Sequence, residues 1–126
     1  VTGIRLTIPV PPTTNHYYAV VRGRKIVSKA GREWTAQAVR SIREQHTGPA
    51  FTGDVRIEAT WYRERRSGDL SNRIKPTEDA LQKAGVLEND SQIAELEWKR
   101  REDKANPRLV LVIRNLETAK AGECEK

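Results

Sequence analysis

At 126 residues the chain is sized for one domain with a useful core of its own. It holds 37% hydrophobic and 32% charged residues, and 23 Lys and Arg against 17 Asp and Glu give a formal charge of +6, which favours a polyanionic partner, nucleic acid before anionic membrane. The lone cysteine, Cys124, excludes an intramolecular disulfide and a cysteine-based zinc site, and no apolar run approaches the ~20 residues of a membrane span.

Ile4 to Val10 alternates apolar and polar residues, a half-buried strand that Pro9, Pro11 and Pro12 stop. His16 to Val27 is aromatic and β-branched apart from Arg22-Gly23-Arg24-Lys25, which predicts a hairpin with a basic tip at Gly23. Ser28 is placed to cap a helix from about Lys29 to His46, with Trp34, Ala38, Ile42 and Gln45 at helical spacing and Gly48-Pro49 as its stop. Asp54 to Arg63 alternates again and predicts a strand, followed by a charged loop from Glu64 to Gly68. Leu70, Ile74, Thr77, Leu81 and Ala84 follow helical spacing; Pro76 kinks that helix or restarts it in its first turn, and Gly85 ends it.

Ile93 to Arg100 and Arg108 to Arg114 predict two strands joined by a polar turn at residues 104–107, and the run Leu109 to Ile113, apolar on both faces, belongs in the middle of a sheet. Residues 117–126 lack an apolar pattern and predict a disordered tail, leaving 1–116 as the domain. The fold class is therefore α/β: a single small domain with two main helices on a mixed sheet. So few apolar residues predict a homodimer that completes the core. The cysteine usage predicts a reducing, cytoplasmic setting, and no signal peptide is visible.

Asp69 stands where the charged loop meets the second helix, and Asn72, Lys75 and Asp79 follow at intervals of three and four, on one face opposite the apolar stripe. One reading is structural: Asp69 caps the helix, Lys75 and Asp79 pair across a turn, and Asp90 belongs to a turn. The other is a Mg²⁺ site in which Asp69 and Asp90, from two loops at the same end of the sheet, supply carboxylates and Lys75 a cation for phosphodiester hydrolysis. The residues alone leave both open. Arg22, Arg24 and Lys25, with Tyr17 and Tyr18 beside them, and Arg63, Arg65 and Arg66 form basic clusters suited to phosphate contact. Arg32, Arg40 and Arg43 read as ordinary surface charge, and Trp34, Trp61 and Trp98 as core or dimer interface.

Three segments carry a resemblance. Pro9-Val10-Pro11-Pro12-Thr13-Thr14-Asn15-His16-Tyr17 is similar to a proline-rich signature ending in Asn and Tyr, Asp69-Leu70-Ser71-Asn72-Arg73-Ile74-Lys75-Pro76 to a DLDN…K motif, and Ala84-Gly85-Val86-Leu87-Glu88-Asn89-Asp90-Ser91-Gln92 to a third motif with paired acids. In order and spacing they resemble the RusA-like family of Holliday-junction resolvases, over roughly Ile4 to Arg114. The resemblance implies a homodimeric endonuclease, often phage-encoded, that nicks four-way DNA junctions symmetrically with Mg²⁺ or Mn²⁺ in recombination and repair. It implies metal-binding and catalytic roles for Asp69 and Asp90, a catalytic role for Lys75, and a supporting polar face of Asn72 and Asp79. DNA contacts are expected of Asn15, Tyr17, Arg22, Arg24, Lys25, Arg65, Arg66 and Arg73. Two positions depart from the motifs: Ser71 stands where a metal-binding Asp is expected, and Asn89 where the first of two acids is expected. Asn89 is tolerable if Asp90 is the ligand. Ser71 leaves three accounts: an introduced substitution, a natural one compensated by Glu78, Asp79 or another acid, or a protein that binds junctions without cutting them.

Overall fold

In a computed structural model of the chain, residues 3–64 and 73–116 are described. The elements in order are β1 (Gly3–Ile8), a single turn of helix α1 (Thr14–Tyr17), β2 (Tyr18–Val21), β3 (Arg24–Val27), α2 (Lys29–Gln45), β4 (Val55–Arg63), α3 (Ile74–Lys83), a 3₁₀ turn (Asp90–Gln92), β5 (Ile93–Glu102) and β6 (Arg108–Asn115). Four strands form a sheet in the order β1-β6-β4-β5, and β2 and β3 form a separate ribbon. Among the described residues β4–β5 is the parallel pair of this sheet and β1–β6 and β4–β6 are antiparallel, so the sheet is mixed as the patterning predicts. A parallel pair needs a crossover, and α3 lies within it.

Alternation decides which face is buried. Leu6 and Ile8 of β1, Val55, Ile57, Ala59 and Trp61 of β4, and Leu109, Leu111 and Ile113 of β6 share one core with Trp34, Ala38 and Ile42 of α2 and Ala80 and Leu81 of α3. β6 is central, between β1 and β4, as its two-sided apolar run requires. Trp34 and Trp61 are buried and Trp98 packs against the core, in line with the core reading of all three. The edge strand β1 is tied to the end of α2, where Gln45 accepts from Thr7 N at 2.8 Å and donates to Thr7 O at 2.7 Å.

Ser28 caps α2 by accepting from Gly31 N at 2.9 Å. The hairpin closes over two residues with positive φ, Arg22 at 53° and Gly23 at 77°, the geometry of a tight primed turn. The sequence reading missed α1: the residues after Pro11-Pro12 turn once before the hairpin begins. The segment 117–126, expected to be a tail, lies outside the described residues. No helix among the described residues is long and apolar enough to cross a membrane.

Candidate active site

Helix α3 begins at Ile74, which puts Pro76 in its first turn, where a missing N–H costs nothing. Thr77 Oγ1 donates to Arg73 O at 2.9 Å. Pro76, Thr77, Ala80 and Leu81 face the core, which leaves Lys75, Glu78 and Asp79 on the outer side.

On that outer side four groups converge. Lys75 Nζ stands 3.2 Å from Asp79 Oδ1 and 3.8 Å from Asp90 Oδ2. The other oxygen of Asp79, Oδ2, accepts from the Tyr17 hydroxyl at 2.9 Å. The Asp79 carboxylate, with Asp90 behind it, raises the Lys75 pKa above the ordinary lysine value. Burial, and then the charge of Asp90, push the Glu78 carboxyl up. Burial pushes the Tyr17 phenol up to about 12, with the Thr35 hydroxyl opposing and Asp79 adding to the shift. The i,i+4 ion pair of the structural reading is therefore real, but it extends beyond one helix to a second acid and a buried phenol.

Asp90 opens the 3₁₀ turn ahead of β5. Asn89 caps that turn by accepting from Ser91 N at 2.8 Å. An Asn and an Asp accept equally well at such a cap, which accounts for Asn89 at a position where an acid was expected. Gln92 closes the box: its Oε1 accepts from Glu88 N at 2.8 Å and Asn89 N at 3.1 Å, and its Nε2 donates to Phe51 O at 2.8 Å and Gly53 O at 2.9 Å. Sequence reasoning quoted Gln92 within a motif without a role; it clamps the Asp90 turn to the strand-like segment before β4.

Asp90 precedes Ile93, which pairs with Val55 at the start of β4, and the first turn of α3 reaches the same place through Lys75. The expected meeting of Asp69 with Asp90 involves a residue outside the described ones. Asp69, Ser71, Asn72, Arg65 and Arg66 lie outside the described residues. Among the described residues, no three His, Cys, Asp or Glu side chains come together to hold a metal ion.

Two expected DNA contacts are corrected. Tyr17 is 1% exposed and serves Asp79, so it offers no face to a nucleic acid. Arg73 is partly buried, with its guanidinium 4.4 Å above the Trp61 ring and Nη1 bonded to Pro11 O, and burial lowers its pKa. It seals the proline-rich segment onto the core. Asn15, Arg22, Arg24 and Lys25 are exposed as expected, with Lys25 Nζ 4.3 Å from the Tyr18 ring.

Comparison with known proteins adds the following. The family model "Endodeoxyribonuclease RusA" matches residues 8–114. Proteins named crossover junction endodeoxyribonuclease RusA are similar to the chain: that of Aquifex aeolicus is 30% identical over 108 residues, covering 85% of each chain. That of Escherichia coli K12 is 37% identical over 92 residues, covering 71% of this chain and 76% of its own. The enzyme of Enterobacteria phage 82 is 36% identical over the same coverage.

Proposed function

We propose a function from one premise: this chain belongs to the RusA family of endodeoxyribonucleases. It is an endonuclease acting on DNA, and its substrate is a four-way (Holliday) junction formed in recombination and repair. It nicks opposing strands symmetrically as a homodimer in the cytoplasm, with Mg²⁺ or Mn²⁺. The observation that supports this reading most is the meeting of Lys75 with Asp79 and Asp90, three groups from two elements on an exposed face.

The donor chemistry fits a hard cation. The site offers carboxylate oxygens and neither thiol nor imidazole, a set suited to Mg²⁺. Asp90 and Asp69 are the residues that would hold it. When bound, the ion would supply Lewis-acid polarisation of the scissile phosphate and activation of the attacking water. Lys75 does the protein's own part: it keeps an ammonium beside Asp90, where charge grows on the phosphoryl oxygens. Arg22, Arg24 and Lys25 bind phosphate on the exposed ribbon and Asn15 does so on α1, and Arg65 and Arg66, shortly before Asp69 in sequence, add to this.

Ser71 removes one expected negative charge. Asp79 is a poor replacement, because both its oxygens are engaged. Glu78, on the same outer side of α3, is the nearby acid left to compensate. The homodimer follows from the family resemblance.

A second reading, junction binding without cutting, is favoured by Ser71 alone. One assay separates the two: nicking of a four-way junction by the parent and by Ser71→Asp, in Mg²⁺, in Mn²⁺ and in EDTA. The enzyme reading expects metal-dependent nicks from the parent and faster ones from the variant. Inactivity of both, with junction binding intact, would establish the binder.

A further inference from the structure

We infer that Tyr17 and Asp79 are positioning residues for Lys75, a phenol–carboxylate brace that fixes the direction of the ammonium toward Asp90. The inference rests on the catalytic reading of Lys75 given above. A lysine on an exposed helix face has a long, rotatable stem, and an exposed i,i+4 carboxylate is a weak restraint because it is mobile too. Here the carboxylate is not free. Its Oδ2 is held by Tyr17 at 2.9 Å, and only Oδ1 is left to face Lys75, at 3.2 Å.

Tyr17 in turn is locked. Its ring is buried, its backbone N–H donates to Thr13 O at 2.8 Å, and its carbonyl accepts from Ser28 N at 2.8 Å. Helix α2 comes so close that a Cβ at Gly31 would stand 2.5 Å from Tyr17 O, so glycine is required where the two meet. The chain therefore spends a buried phenol, 62 residues away in sequence, on one oxygen of a helix-surface acid. A filler aromatic would need no hydroxyl, and a helix-stabilising ion pair would need no tyrosine. The brace leaves the longer contact, 3.8 Å to Asp90, as the one that yields when a phosphate enters.

The test is Tyr17→Phe, which keeps the ring and deletes the donor, read out in three ways. The first is the single-turnover nicking rate on a four-way junction at saturating protein. The second is junction affinity. The third is the order of the Lys75 ammonium by NMR in metal-free protein. The expected result is junction affinity within about twofold, nicking slower by roughly tenfold or more, the scale of a misplaced catalytic group, and a Lys75 ammonium that becomes mobile. Asp79→Asn should do the same, and adding Tyr17→Phe to it should cost nothing further, because both act through one contact. A Tyr17→Phe protein that cuts at the parent rate with Lys75 still ordered would overturn the inference, as would fully additive losses. If neither the parent nor Ser71→Asp cuts, the catalytic reading fails by itself and the ammonium order still decides the brace. If Tyr17→Phe does not fold, Asp79→Asn carries the same measurement.

Discussion

Tyr17 and Tyr18 are neighbours in sequence, with rings 4.9 Å apart and edge-on, yet they belong to two unlike regions. Tyr17 points into the protein and fastens the charged end of α3. Tyr18 opens the β2–β3 ribbon, lies under Lys25, and leads to a tip where Val20 is 75% exposed. The site groups hold one another at fixed distances and lean on the core, whereas the ribbon pairs only with itself and presents cations to solvent. The contrast separates two jobs: chemistry needs preorganised charge, and capture of a polyanion needs accessible charge.

The sharpest way to break that contrast is at Lys75. Lys75→Ala should slow nicking by roughly 10²–10³-fold, the usual loss when one stabilising charge is removed from a transition state, with junction affinity barely changed. A variant that loses affinity in step with rate would put Lys75 on the capture side. The converse experiment is Arg22→Ala with Arg24→Ala and Lys25→Ala. The triple variant should lower the steepness of the log affinity against log salt plot by up to roughly 0.9 per lost phosphate contact, while the nicking rate at saturation and the thermal midpoint hold. Unchanged salt dependence would remove the ribbon from the DNA interface.

A smaller, pH-dependent effect is expected at Glu78. Its folded pKa is raised, so the folded state binds that proton more tightly than the unfolded chain, and stability is lost as pH rises through the folded value. Glu78→Gln should therefore be more stable than the parent near neutrality, with the advantage closing as pH falls below the ordinary glutamate range. Metal should narrow the neutral-pH gap in the parent only. Thermal melts with and without Mg²⁺ across that range check both statements.

Much of the scaffold was legible because it is written in period. β4 and α2 each show one clean spacing, and both form within a residue or two of the expected bounds. The core tryptophans follow from the same patterns. What escaped was long-range. Tyr17 sits in a run of aromatics beside basic residues, which reads as a DNA-facing cluster; nothing local reveals an aspartate 62 residues on as its partner. The one local hint is Gly31, a helix-breaking residue kept inside the first turn of α2 because the Tyr17 backbone passes there. Arg73 misled in the same way: in a motif of polar residues it looked like a phosphate ligand, while a tryptophan ring and a proline carbonyl claim it.

The most direct test of the account is the split between binding and cutting in Asp90→Asn, made in both the parent and the Ser71→Asp background. The account predicts junction affinity equal to or tighter than that of the unaltered protein, since a charge that repels phosphate is gone, together with loss of metal-dependent nicking in either background. Nicking by Asp90→Asn at the rate of its own background would contradict it, and would move the chemistry away from the Lys75–Asp90 pair altogether.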